Sequence, residues 1–346
     1  MEYATAYDVG DRKRDDGINE DSVAIAVIED GHRVGLEGSE DADTRGAVAF
    51  ALADGAGGHD AGDVASYIAS TVAVEELAGK AARWIRSDPG AFGVALDMPL
   101  PDGPTAVSVQ SAVDEAIQVA HRDVLSYATG ADAAALTTVV AGVAVGGELH
   151  YGWVGDSRAY VCNAVHETVE QVSKDHSVVT ELADAGDIDD VEARVHPRGN
   201  EITNAVGGHP GEPTDGATVP VETHTIPLYA EDIVLVTSDG LIDAQTEAPD
   251  LHDRYTGGET DAAAVREAVV TDDEIGETVF DAETLDAAAE ALIALGNDRG
   301  GKDNLSTLLF RDQTLAATPA EPALPVRAID PSGPVEDRET VIVPEE

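Results

Sequence analysis

Three apolar runs with strand spacing each meet an aspartate beside glycine or asparagine. Ala47–Ala53 (AVAFALA) runs into Asp54-Gly55, and Ile233–Thr237 (IVLVT) runs into Ser238-Asp239-Gly240. Gly300-Gly301-Lys302-Asp303-Asn304 opens onto Leu305–Phe310 (LSTLLF). Buried strands are stiff and glycine turns are tight, so the pattern is suited to holding three carboxylates at one point. Fixed carboxylate oxygens without basic partners are what a hard divalent cation such as Mg²⁺ or Mn²⁺ requires. On residues alone, the chain reads as a metal-dependent hydrolase.

The charge sets a second constraint. Against 68 acidic residues there are 20 basic ones, a formal charge of −48. Such a chain repels itself at low salt, and it has too little positive charge to neutralise phosphates, which excludes nucleic acid as a direct partner. The acid residues are spread over segments with clear apolar periodicity, so the charge reads as the solvated surface of a folded protein from a halophile, where concentrated salt shortens the screening length. Hydrophobic residues make up 43% of 346 and aromatics only 4%, so the core has to be built from Ala, Val, Leu and Ile. Cys162 is the one cysteine; it excludes an intrachain disulfide and a Cys-rich zinc site and reads as core filling. The N-terminus has neither a basic region nor an apolar one, and no apolar run approaches the ~20 residues of a membrane span. The expectation is a cytoplasmic protein that does not contact membranes.

Along the chain, strands are expected at 3–10, 21–28, 47–53, 137–145, 149–154, 159–162, 232–237 and 305–310. Residues 137–162 read as consecutive antiparallel strands joined by short turns. Helices are expected at 63–85, 108–128, 178–185 and 282–295. Residues 30–46, 87–107 and 245–280 read as surface inserts, the last because it is acidic and poor in apolar residues. The domain reading is one body over 1–313 and a disordered, acidic, Pro-rich tail over 314–346. The fold class that follows is α+β, a four-layer α/β/β/α sandwich of two antiparallel sheets flanked by helices, with the strand-end aspartates at one edge.

An ordered set of motifs carries a family resemblance over nearly all of 3–312. It comprises Asn19-Glu20-Asp21-Ser22, Asp54-Gly55-Ala56-Gly57-Gly58-His59, Thr137-Thr138 and Gly155-Asp156-Ser157-Arg158-Ala159-Tyr160. Lys174-Asp175-His176-Ser177, His196-Pro197-Arg198-Gly199-Asn200-Glu201-Ile202, Thr237-Ser238-Asp239-Gly240-Leu241 and Gly300-Gly301-Lys302-Asp303-Asn304 complete it. With these the chain resembles the bacterial branch of the type 2C metal-dependent protein serine/threonine phosphatases. The resemblance implies that Asp54 bridges two cations (Mn²⁺ or Mg²⁺), that the Gly55 carbonyl binds one, and that Asp239 and Asp303 bind the other. Glu20 and Asp21 would act through bound waters, and Asp156 would hold a third, weaker ion shared with Asp239. It implies hydrolysis of phosphoserine and phosphothreonine by a metal-bridging hydroxide without a phosphoenzyme, on phosphorylated proteins supplied by a cognate kinase pathway.

Two departures from the family pattern stand out. Asp16 sits where the family places a phosphate-binding arginine, in a longer loop, so Arg14, or else Arg12, is expected to reach in. Ala56 replaces the histidine of eukaryotic members, which leaves His59 nearby and a bound water as the expected acid. His176 and His196 match positions that order the site and its flap, the latter read over 183–207. Two other readings share the motifs: a catalytically weak phosphatase-fold sensor or regulatory module, and a phosphatase of small phosphomonoesters.

Overall fold

A computed structural model of the chain describes residues 1–14, 17–29, 46–55, 61–86, 105–320, 325 and 327. One five-stranded sheet has the order β1-β12-β11-β7-β8, formed by Glu2–Asp8, Leu305–Arg311, Asp232–Thr237, Arg158–Asn163 and Thr168–Gln171. The second has the order β10-β6-β5-β3-β2, formed by Glu222–Pro227, Glu148–Val154, Val139–Val145, Gly46–Asp54 and Asp21–Glu29. All pairings are antiparallel, and a short extra pair joins β4 (Ala135–Thr137) to β9 (Val206–Gly208). Helices α1 (Gly62–Arg86) and α2 (Ala106–Ala131) cover the second sheet; α7 (Asp272–Asp281) and α8 (Leu285–Asp298) cover the first. This is the four-layer sandwich expected from the sequence.

The alternation within β3 shows why the layers stack. Its residues 47–53 are all buried, and the side chains divide by size. Val48, Phe50 and Leu52 face the other sheet, where they meet Val234, Val236 and Phe310, with Trp153 of their own sheet in the same cluster. Ala49, Ala51 and Ala53 face α1 and α2, against Ala65, Ala69 and Ile117. Small residues let the helices lie close, and large ones fill the space between sheets. In the first sheet Ile233, Leu235, Leu305 and Leu309 face α8, and Cys162 is core filling among them, its thiol pushed up to about 12 by burial. Phe50 and Phe310, with centroids 5.1 Å apart, join the two sheets.

The structure revises three local expectations. Strands β6 and β7 are not a hairpin: the chain crosses from one sheet to the other at Gly155, whose φ of 102° only glycine adopts freely. The expected strand over 137–145 is broken at Thr138, whose hydroxyl accepts from the Asp54 N–H at 3.0 Å and whose own N–H donates to the Asp54 carbonyl at 2.8 Å. Residues 245–280 contain three helices: α5 (Ala248–Thr256), α6 (Ala262–Ala268) and α7. Their few apolar residues suffice because each is placed inward, Leu251, Val265, Val269, Ile275 and Val279 all being buried. Of the expected inserts at 30–46 and 87–107, residues 30–45 and 87–104 lie outside the described residues, like Asp16 and His59, whereas Gly46 begins β3 and Ala106 begins α2.

Ala316 and Thr318, in the stretch expected to be a disordered tail, bond to the turn that precedes β11. The Ala230 N–H donates to the Ala316 carbonyl at 2.9 Å, and the Thr318 N–H to Glu231 Oε2 at 2.7 Å. Arg327 is buried, with Nη1 donating to Asp232 Oδ2 at 2.5 Å and Nε to Glu170 Oε2 at 3.0 Å. Residues 328–346 lie outside the described residues.

Phe50→Ala is expected to cost about 3–5 kcal/mol, because it opens a cavity at the junction of the sheets. Urea unfolding in concentrated salt measures it.

Candidate metal centre and the flap beside it

Antiparallel pairing brings the expected carboxylates together. Asp21 begins β2 and Asp54 ends β3, and the two are direct cross-strand partners. Asp239 follows the end of β11 and Asp303 precedes β12, which are adjacent in the other sheet. Asp156 lies at the crossing between sheets. The ends of both sheets thus converge on one acidic site.

Several contacts hold this convergence. Asn304 is buried, and its side chain clamps the loop before Glu20. Its Nδ2 donates to the Val9 and Ile18 carbonyls at 3.1 Å each, and its Oδ1 accepts from the Glu20 N–H at 2.9 Å. Gly240 packs so closely on the Asn304 backbone that a Cβ there would overlap the Asn304 carbonyl. Gly55 donates its N–H to the Glu20 carbonyl at 3.1 Å, and a Cβ on it would lie 2.6 Å from the Gly62 backbone. His176 supports the Gly155 turn: its Nδ1 accepts from the Gly155 N–H at 3.2 Å, and its ring stacks on Trp153. Arg158 is engaged by Asp175 through Nε at 2.9 Å and Nη2 at 2.6 Å.

The electrostatics are those of anions crowded away from water. Burial, opposed in part by a hydrogen bond from Ser238, raises Asp21 to about 6. Burial and repulsion from Asp303 and Asp243 raise Asp239 to about 7. Burial and repulsion from Asp21, Asp239 and Asp156 lift Asp54 well above the usual carboxylate range. Asp156 is raised in the same way, with Asp239, Asp175 and Asp243 as its neighbours. The Ser238 hydroxyl donates to Asp21 Oδ2 at 2.8 Å, while buried Oδ1 of the same carboxylate has no hydrogen-bond partner. An orphaned buried oxygen among mutually repelling carboxylates is the donor set a hard divalent cation satisfies.

Among the described residues, the cation that reaches this group is Lys13, which sequence reasoning passed over. Its ammonium contacts Asp303 Oδ1. Burial works against its charge, but the bond to Asp303 and the pull of Asp303, Glu20 and Asp54 outweigh burial and raise its pKa. The expected phosphate ligand Arg14 is exposed and bound to Asp8 and Asp11 at 3.0 and 2.8 Å. Arg12 donates its backbone N–H to the Gly301 carbonyl at 3.1 Å. In the sequence Lys13 stands three residues after Gly10, a position where a Cβ would overlap the Asp303 carbonyl.

Beside Asp156 and Asp239 lies a cavity of about 300 Å³. Asp243, also unremarked in the sequence, lines it together with Asp190, Ala193 and Arg194 of the flap. Helix α3 (Val178–Asp184) leads into the flap, which carries α4 (Asp190–Ala193).

Comparison with known proteins agrees with this geometry. The family model described as Protein phosphatase 2C matches residues 38–256. The serine/threonine phosphatase stp of Listeria innocua is 30% identical over 260 residues, covering 75% of this chain and 82% of that protein. The S. agalactiae serine/threonine phosphatase structure superposes with a TM-score of 0.61 at 24% identity, over 90% of this chain and 99% of that one. The catalytic domain of the serine/threonine protein phosphatase PstP, solved in complex with two manganese ions, gives a TM-score of 0.55 at 24% identity over 89% and 96%. This chain therefore belongs to the protein phosphatase 2C family.

Proposed function

We propose that the protein hydrolyses phosphoserine and phosphothreonine in phosphorylated proteins, using two Mn²⁺ or Mg²⁺ ions per site. The observation that carries this reading is the convergence of Asp21, Asp54, Asp156, Asp239 and Asp303 at the ends of two sheets, with the buried Asp21 Oδ1 left without a partner. Asp54, the Gly55 carbonyl, Asp239 and Asp303 would hold the two ions, with Glu20 and Asp21 acting through water and Asp156 serving a third ion with Asp239. Bound there, the cations supply an activated water and offset charge on the phosphoryl oxygens.

The chain's own residues do the rest. Asn304 and Gly240 fix the approach of the two strand ends, so the carboxylates need no reorganisation on binding. Lys13 is the side chain of the first loop that faces the carboxylates, and we assign it the substrate phosphate. Its contact with Asp303 supports this, as does the engagement of Arg14 by Asp8 and Asp11. An ammonium offers a point charge rather than a planar fork, so the phosphate is held by attraction more than by bidentate geometry. The flap residues that line the cavity with Asp239 are placed to choose among phosphopeptides. The acidic surface suits a halophile's cytoplasm, where a kinase would supply the substrate. Among the described residues no helix is long and apolar enough to cross a membrane. Residues 1–313 form the catalytic domain in this reading, and 314–346 a tail.

Release of phosphate from a phosphothreonine peptide in concentrated salt tests the function. It should require Mn²⁺ or Mg²⁺, stop with chelator, and fall to background in Asp239→Asn. A folded protein that releases nothing with either metal would support the sensor reading. Lys13→Ala should lower kcat/KM about 10- to 100-fold, the worth of one charge-assisted hydrogen bond, while Arg14→Ala changes it less than about twofold.

Metal removal should also make stability depend on pH. Ordinary carboxylates titrate near 4, whereas Asp21 and Asp239 are raised to about 6 and 7 in the folded state. Between those values the folded, metal-free protein binds more protons than the unfolded chain, so it loses stability as pH rises from about 4 through about 7. Chelated wild type should show this fall, Mn²⁺ should suppress it, and metal-free Asp239→Asn should exceed metal-free wild type near neutral pH by about 1–3 kcal/mol. Thermal melts across pH measure all three.

A further inference from the structure

Away from the acidic site, three potential ligands of a different chemical character meet on the flap. The carboxylate of Glu192 on α4, the ring of His196 just after it, and the ring of His252 on α5 place one ligand atom each within 4.8 Å of the others. His252 Nε2 lies 3.3 Å from Glu192 Oε1, and the two imidazoles meet edge to face with centroids 5.1 Å apart. A tetrahedral zinc ion, with bonds of about 2.0–2.1 Å, sets its ligand atoms roughly 3.3–3.4 Å apart. The Glu192–His252 pair already has that spacing.

From this geometry we infer that Glu192, His196 and His252 form a second metal site, selective for Zn²⁺ or a similar borderline cation, which fastens the flap to the insert. Two imidazoles and one carboxylate suit such an ion, whereas the all-oxygen site suits Mg²⁺ or Mn²⁺. With Nε2 toward the site, the buried His252 Nδ1 makes no hydrogen bond and lies 3.5 Å from Asp253 Oδ1, the carboxylate that could accept from it once the ring is ligated. His196 Nδ1 accepts the Arg198 N–H at 3.1 Å. Ligation through either ring nitrogen therefore exchanges that contact for the metal bond.

The site stands on packed ground. Val191 and Val195 lie against Leu251, Val265 and Val269, and the Tyr255 hydroxyl donates to Asp189 Oδ2 at 2.9 Å. The same short helix presents Asp190 and Ala193 to the cavity shared with Asp156 and Asp239. Zinc on Glu192, His196 and His252 would thus fix α4 beside the catalytic carboxylates without touching them.

The test titrates the full chain with Zn²⁺ against a chromophoric chelator, in concentrated salt with Mg²⁺ in excess. Asp239→Asn is run in parallel, because it impairs the catalytic site alone. The expected result is one Zn²⁺ per chain in both proteins, weakened at least 10- to 100-fold by His252→Ala and by His196→Ala, and more modestly by Asp253→Asn. Co²⁺ should give the visible absorption of a four- or five-coordinate nitrogen-oxygen site in wild type and lose it in His252→Ala. Hydrogen exchange over 189–199 should slow on zinc addition in wild type only. Zinc that disappears with Asp239 but persists in both histidine variants belongs to the catalytic site and overturns the proposal. So does a folded wild type that binds none. Neither outcome depends on phosphatase activity, so failure of this proposal is distinct from failure of the proposed function.

Discussion

Like charges crowd the end of this sandwich. Asp21, Asp54, Asp156 and Asp239 are withdrawn from water and repel one another, and each is raised above its ordinary pKa by burial first and by its neighbours second. Carboxylates so placed would separate if the backbone allowed it. What prevents separation is the rigidity behind them: two antiparallel sheets joined by Phe50 and Phe310, and strand ends pressed together at Gly240 and Gly55. The core stabilises an arrangement the site itself disfavours, and a bound cation relieves the repulsion that remains.

This division of labour explains the distribution of residues. Alanine is concentrated on the helix-facing side of β3 and large residues on the sheet-facing side, so a chain with few aromatics still fills its central layer. Hydrogen-bonding residues are concentrated at the strand ends. Asn304 ties the loop of residues 9–20 to β12, and Thr137 and Thr138 grip the Asp54 backbone. These contacts convert sheet order into placement of carboxylates. The family's chemistry resides in such placement more than in any reactive side chain, consistent with the one cysteine being buried among leucines.

The flap belongs to a different mechanical unit. Its α4 packs on α5 and α6 through valines and Leu251 rather than on the sandwich core. One side of α4 lines the cavity beside Asp239, and the adjoining Glu192 and His196 meet His252. A short helix of this kind has little stability of its own, so its position is set by what it packs against. That makes the insert, rather than the sheets, the element that positions α4 beside the cavity.

The four layers, most of the strands, and Asp54, Asp239 and Asp303 at strand ends were legible in the sequence because they depend on local alternation, whereas the short strands β8, β9 and β10 were not. Apolar residues at period two, ended by aspartate and glycine, specify a buried strand and the residue at its end whatever the rest of the chain does. The tertiary structure alone decided matters of relative position. That β6 and β7 belong to different sheets depends on a positive φ at Gly155. That Lys13 and not Arg14 faces the carboxylates depends on the clamp that Asn304, from the far end of the domain, makes on the Val9 and Ile18 carbonyls. That Glu192, His196 and His252 meet depends on apolar packing between segments with no shared periodicity. Periodicity reports which face of an element is buried, but it carries no information about which distant element covers that face, and side-chain clusters are made by that second choice.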